Sequence, residues 1–389
     1  MASTISLWIL LLGMAMSHNS GVLGMLLDFL GGSHRFLRQP KMAPTISLWI
    51  LLLGMAMSHN SGVLGADVGI NYGRLGNNLP SPKRVIKFLV KDLKYAIPLI
   101  RLFDPDPEIL AALDKTKLVV TLGTRNEDLP KLARSLHFTR NWLKKYVTPY
   151  MNSTGHGTRF RYLTIGNELI PGPFAANVLP AMKNLQQAVV ETKLSNYIQV
   201  STAVHSAVLG SSYPPSAGAF RDDVAGIMTN IVKFLHSNNA PLLINVYPYF
   251  AYASDPEHIS LDYALFRSKK PVVIDGNLKY YNLFDAMVDA FAAAVEKAIG
   301  TGDIKIVVSE TGWPSAGNEP HTTKKNARTY NKNLNHRIKY QGGTPRRPDL
   351  NLETYIFALF NENRKPAGVE QNFGLFHPNL TRTYPLWYS

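Results

Sequence analysis

Residues 66–389 predict an α/β protein, a closed (β/α)8 TIM barrel with a small subdomain in the segment between strands 6 and 7. Three observations carry this expectation. Short β-branched or apolar runs alternate with longer segments of helical period, the pattern of repeated βα units around a parallel sheet. The runs number eight, which is the count that closes a barrel. No linker rich in Pro, Gly and Ser divides the stretch, so it reads as a single domain.

The eight runs are VGINYG (68–73), IPLIRLF (97–103), KLVVTLG (117–123), FRYLTIG (160–166), IQVSTAV (198–204), PLLINVYPY (241–249), IKIVVSE (304–310) and TYIFALF (354–360). Between them, PSPKRVIKFLVKDL opens with Ser81-Pro82, a cap residue followed by a first-turn proline. In NLFDAMVDAFAAAVEKAIG, Leu283, Ala286, Met287, Ala290, Phe291 and Ala294 share one helical face, and Gly300 ends the helix. The connection over residues 250–303 is longer than one helix requires and holds the expected subdomain.

Residues 1–65 are read separately, as a leader outside the fold. Residues 1–24 and 42–65 are the same sequence except that Ser3 in the first copy is Pro44 in the second. Each copy has an apolar run of about a dozen residues, suited to a secretory signal and short of the roughly 20 that span a bilayer. Val63-Leu64-Gly65 before Ala66 suits signal-peptidase cleavage, and Met42 is a candidate start. The sequons at Asn152 and Asn379 are glycosylation candidates that fit a secretory route. No membrane insertion or lipid anchor is expected.

A content of 46% apolar and 17% charged residues describes a globular chain with a large core. Zero cysteines exclude disulfides, zinc-thiolate sites and thiol nucleophiles. The net charge of +14 favours anionic surfaces. The basic residues form no long run in the sequence, though, and no nucleic-acid module is recognisable, so nucleic acid is not an expected partner. The eleven histidines lack paired ligand spacing, and neither a metal nor another cofactor is expected.

Glu168 follows strand 4 and Glu310 ends strand 7, which puts both at the C-terminal mouth where barrels of this type build active sites. Two carboxylic acids across a cleft can hydrolyse a glycosidic bond. One protonates the leaving oxygen, and the other attacks or stabilises the sugar carbon. The bland alternative is that each glutamate pairs with an arginine or caps a helix. Aromatic residues near other strand ends, Tyr72, Tyr247, Tyr249, Phe250, Tyr252 and Phe373 among them, suit stacking on pyranose rings. Asn167 beside Glu168 and Trp313 past Glu310 add further groups suited to holding a sugar.

INYGRLGNNLP, FRYLTIGNE, NVYPYFAY, SETGWPSAG, ETYIFALFNEN and FGLFHPN resemble, in order, the signature blocks of plant endo-β-1,3-glucanases of glycoside hydrolase family 17. The resemblance covers essentially residues 66–389. It implies retaining endo-hydrolysis of β-1,3-glucan, with Glu168 as acid/base and Glu310 as nucleophile. It also implies that Tyr72, Asn167, Tyr247, Glu353, Glu362 and Phe373 line the cleft. Thr124-Arg125-Asn126 and Phe103 depart from the family's usual Val-Pro-Asn-like turn and tyrosine, in positions that bear on subsite contacts. The resemblance further implies a monomer secreted to the cell wall or apoplast rather than the vacuole. A β-1,3;1,4-glucanase of the same family, and a non-catalytic β-glucan-binding protein, remain open as alternatives.

Overall fold

All eight runs become strands of one closed sheet in the computed structural model, which describes residues 67–94, 96–151 and 157–387. The leader-like residues 1–65 and the sequon Asn152 lie outside the described residues. The strands are β1 (Val68–Tyr72), β2 (Leu99–Leu102), β3 (Val119–Gly123), β4 (Arg159–Asn167), β5 (Gln199–His205), β6 (Leu242–Asn245), β7 (Ile306–Thr311) and β8 (Thr354–Ile356). Each pairs in parallel with the next, and β8 pairs with β1.

Parallel strands need long crossovers, and helices supply them. Pro82 stands at the first turn of Pro82–Lys87, which runs on as a π-helical segment over Phe88–Asp92; Ser81 makes no side-chain cap bond there. Helix Leu283–Ile299 is capped by Asn282 Oδ1, which accepts from Asp285 N at 2.8 Å, and ends at Gly300 with φ +75°. That helix is buried on more than one face, since Phe284 and Val288 lie inside along with Ala290 and Phe291. Leu283 and Met287, expected in the core, are only partly buried, and Met287 reaches the cleft.

The segment between β6 and β7 contains short helices Pro248–Ser254 and Leu261–Ala264 and a two-stranded hairpin, Val273–Asp275 with Leu278–Tyr280. Among the described residues, no helix is long and apolar enough to cross a membrane.

Two apolar layers hold the fold. A large cluster lies between sheet and helices. A separate one takes Leu99, Val119, Tyr162, Ala203, Leu243, Val307 and Tyr355, one residue from each of β2 to β8, and so fills the barrel interior. Strand side chains alternate, so the inward residues next up the barrel lie two positions on. There the chemistry changes to Asn71, Arg101, Thr121, Thr164, His205, Asn245 and Ser309. An apolar floor under a polar layer is what makes the upper end of this barrel a site.

Candidate active site

Both glutamates are aimed by irregularities in their strands. In β4, Thr164 lies beside Ser201 but Asn167 lies beside Ala203, so one extra residue bulges out just before Glu168. In β7, Val308 pairs with Ile244 and Glu310 with Asn245, which leaves Ser309 as the extra residue. A bulge re-aims the side chain that follows it. The β4 turn also needs left-handed backbone at Gly166 (φ +62°) and at Glu168 itself (φ +56°). For a glutamate this costs on the order of 1–2 kcal/mol. Gly166 suits this position because its left-handed φ strains any residue with a side chain.

The Thr124-Arg125-Asn126 turn holds this corner. Thr124 Oγ1 accepts from Gly166 N at 3.0 Å, and Asn126 Oδ1 accepts from Asn167 N at 3.0 Å. Arg125 stands on the cleft rim, 3.3 Å from Asp104.

Around the carboxylates is a polar network that the sequence reading did not single out. Asn245 Nδ2 donates to Glu168 Oε1 at 2.8 Å and to Glu310 Oε1 at 2.9 Å. Those two oxygens therefore stand at most about 6 Å apart, which fits the roughly 5–5.5 Å of retaining pairs better than the roughly 6.5–9.5 Å of inverting ones. Ser309 Oγ donates to Asn245 Oδ1 at 2.6 Å, so the amide presents its NH2 to both acids. Arg101 is 1% exposed. Its Nη1 donates to Glu310 Oε1 at 2.6 Å and to Asn71 Oδ1 at 3.0 Å, and its Nη2 donates to Asn167 Oδ1 at 2.8 Å. Tyr247 OH donates to Glu310 Oε2 at 2.8 Å.

Glu310 therefore does pair with an arginine, as the bland reading allowed. It also opens onto a cleft of about 850 Å3 that is lined by Glu168, Asn167, His205, Asn245, Tyr247 and Glu362, among others. The electrostatics separate the two acids. Burial raises the Glu168 carboxyl above its ordinary range, and the nearby Glu310 charge adds to this, against the Asn245 hydrogen bond and the fields of His205 and Arg101. The sequence alone suggests the Glu310 charge as the cause, but burial is the larger one. Burial likewise keeps the Tyr247 phenol well above its usual value, so it stays a neutral donor. An acid inclined to keep its proton can protonate a leaving oxygen while the neighbouring Glu310, held by an arginine, an amide and a phenol, attacks the sugar carbon.

Of the expected binding residues, Asn167, Tyr247, Glu362 and Phe373 line the cleft. Glu362 Oε1 accepts from Leu75 N at 2.6 Å, and burial raises its carboxyl. Tyr247, Phe250, Phe357 and Phe373 form one wall of mostly edge-to-face rings, with Tyr247 and Phe373 centroids 5.8 Å apart.

Three residues are corrected. Glu353 precedes β8, which puts it at the opposite, N-terminal end of the barrel, where it pairs with Arg161 and accepts from Tyr355 OH. Tyr72 follows the inward Asn71 and so faces outward into the sheet–helix core, 1% exposed, with its phenol pushed up to about 12 by burial. Trp313 is fully buried behind the aromatic wall, against Tyr249, Tyr252 and Tyr330, and its Nε1 donates to His321 O at 3.0 Å. Asn379 is exposed, with its Oδ1 accepting from Thr381 N and Oγ1.

Comparison with known proteins agrees with this geometry. The profile of glycosyl hydrolases family 17 matches residues 68–388. A putative glucan endo-1,3-beta-glucosidase GVI of Hordeum vulgare is 47% identical over 318 residues, 82% of this chain and 95% of that protein. A glucan endo-1,3-beta-glucosidase of Vitis vinifera is 45% identical over 327 residues, 83% of this chain and 92% of that protein. Among solved structures, CJP38, a beta-1,3-glucanase and pollen allergen of Cryptomeria japonica, superposes with a TM-score of 0.78 at 42% identity, covering 83% of this chain and 99% of that one. A structure from a study of two plant beta-glucan endohydrolases with distinct substrate specificities gives 0.75 at 42% identity, with coverage of 82% and 99%.

Proposed function

The chain belongs to glycosyl hydrolase family 17, and from that membership we propose that it is an endo-β-1,3-glucanase acting by double displacement. The single observation that carries the mechanism is the pair of short hydrogen bonds from one Asn245 nitrogen to both carboxylates. In this reading Glu310 attacks the anomeric carbon, while Glu168 gives its proton to the departing glycosidic oxygen. A glycosyl–Glu310 ester forms, and the Glu310 charge is discharged. Glu168, now a carboxylate, takes a proton from water, which attacks the same carbon and releases the sugar with its original configuration.

Arg101 and Tyr247 orient Glu310 before attack. Asn245 serves both acids in turn. Asn167, Glu362 and the wall of Tyr247, Phe250 and Phe373 are proposed to hold glucosyl units by hydrogen bonding and stacking.

Residues 1–65 are proposed as a duplicated, removable leader and 66–389 as the mature domain, acting outside the cell in the wall, as a monomer and without a cofactor. The test is digestion of laminarin by the purified protein with product sizing. Internal cleavage to a ladder of oligosaccharides is expected. Faster cleavage of mixed-linkage β-1,3;1,4-glucan would reassign the linkage, and no released reducing ends from either would refute hydrolase activity.

A further inference from the structure

The outer flank of the barrel beside β7, β8 and β1 carries a concentration of charge that the cleft does not use. The chain after β8 lies between the helical residues 82–92 and helix Lys324–Tyr340. Phe376 meets Phe88 edge-on at 5.0 Å. On the other side Arg328 Nε donates to Pro385 O at 2.9 Å, and Asn331 Nδ2 to Tyr384 OH at 2.7 Å. The two helices and the segment between them thus form one continuous face.

From the first helix and its end this face exposes Lys83, Arg84, Lys87, Lys91 and Lys94; from the second, Lys324, Lys325, Arg328 and Lys332; and Arg382 lies on the segment between them. Among the described residues none of these cations makes an ion pair. The second helix carries no Asp or Glu, and the exposed acid on the first is Asp92. None of these residues lines the cleft. Sequence alone hid this face, because its charges come from chain segments that only the closing of β8 on β1 brings together.

We propose that this flank is a docking surface for a linear acidic polysaccharide, a polyuronate with a carboxylate on each sugar. Unpaired like charges on one face repel one another, and an extended polyanion relieves that repulsion while releasing its own counterions. Lys83, Lys87 and Lys91 recur at every fourth residue, a spacing of roughly 6 Å along a helix, which suits a ligand with regularly repeated charge. Lysine outnumbers arginine, so the face offers compact point charges rather than the bidentate forks that favour phosphate. The choice of polyuronate over other polyanions rests on the β-glucanase reading, since such an enzyme works in a polysaccharide matrix. Docking on the flank leaves the cleft open to glucan.

The experiment is retention of the intact protein on immobilised polygalacturonate across a salt gradient. It compares wild type with Lys83→Glu/Lys87→Glu/Lys91→Glu, with Lys324→Glu/Lys325→Glu/Lys332→Glu, and with a control, Lys183→Glu/Lys193→Glu/Lys233→Glu. The control makes the same charge change on the helices that follow β4 and β5 and just past the end of the first of them, across the barrel. Wild type and control should bind at low ionic strength and elute only with salt, whereas either flank variant should bind about tenfold or more weakly, with a shallower dependence of affinity on salt.

All four proteins should hydrolyse soluble laminarin at equal rates, which verifies their folding. Loss of laminarin hydrolysis in wild type would count against the enzymatic reading while leaving the retention result readable. Equal weakening in the control, or undiminished binding by both flank variants, would overturn the docking surface. Tighter binding to duplex DNA or phosphatidylserine vesicles than to polygalacturonate at the same salt would overturn the polyuronate assignment.

Discussion

Glu168 and Glu310 accept hydrogen bonds from one and the same nitrogen, with their Oε1 atoms 2.8 and 2.9 Å from Asn245 Nδ2. Two acids from opposite parts of the sequence thus share a donor whose orientation is fixed by Ser309 Oγ. Replacing Asn245 with Ala removes a preorganised donor that faces charge changing hands between the acids. A fall in kcat of about 10²–10³-fold with KM little altered is expected from steady-state kinetics on laminarin, since losing one such donor elsewhere costs that much. A change confined to KM would reduce Asn245 to a binding residue.

Arg101 is the only counter-cation hydrogen-bonded to Glu310 among the described residues. Arg101→Met should leave a buried carboxylate unpaired and lower unfolding free energy by about 3–5 kcal/mol, read from urea denaturation. Arg101→Lys keeps a charge but cannot span Glu310 and Asn167 together, so it should be nearly as stable as wild type yet clearly slower.

Glu168 is expected to hold its proton above the ordinary carboxyl range, because burial and the Glu310 charge both disfavour its ionised form. Activity should therefore fall on the alkaline side of the pH profile as Glu168 loses its proton. In Glu310→Gln the Glu168 carboxyl, followed by NMR titration, should drop but stay elevated, because burial is the larger cause. Glu168→Gln should retain far more activity on glycosides with good leaving groups than on laminarin.

The strands, their number and both carboxylates were legible because apolar runs and the residues ending them survive in a linear reading. Arg101, Asn245 and Asn71 were equally visible, each a polar residue inside an apolar run, but their meaning lies in the two-residue alternation. Arg101 and Asn245 each stand two positions beyond a residue of the barrel floor, and Asn71 occupies the matching inward position on β1. The same alternation turns Tyr72 outward, and strand direction puts Glu353 at the wrong end, so both misplacements were avoidable. Trp313 was not, because only the packing of Tyr249, Tyr252 and Tyr330 around it settles that the indole faces inward. The Ser309 bulge, too, follows from pairing register, which no single strand discloses.

Asp289 lies fully buried on helix Leu283–Ile299, where burial raises its carboxyl to about 6 against hydrogen bonds from Tyr280 OH, Arg346 N and Thr344, with the Asp285 charge adding to the rise. A carboxyl with a raised folded value holds its proton better folded than unfolded. Its favourable contribution is complete below about pH 4 and is lost as pH rises toward 6, by an amount on the order of 2–3 kcal/mol. Asp289→Asn should flatten stability between pH 4 and 6 in thermal or urea melts, and an unchanged slope would discount the shift.

The most direct test of the carboxylate pair is the configuration of the sugar released in the first moments of laminarin cleavage, read by proton NMR before mutarotation. Two acids this close, one attacking and one donating, predict that the β-anomer appears first. They further predict that Glu310→Ala is inactive until azide restores cleavage with an α-glycosyl azide product. Initial release of the α-anomer by the wild-type protein, or full turnover by Glu310→Ala, would contradict the mechanism.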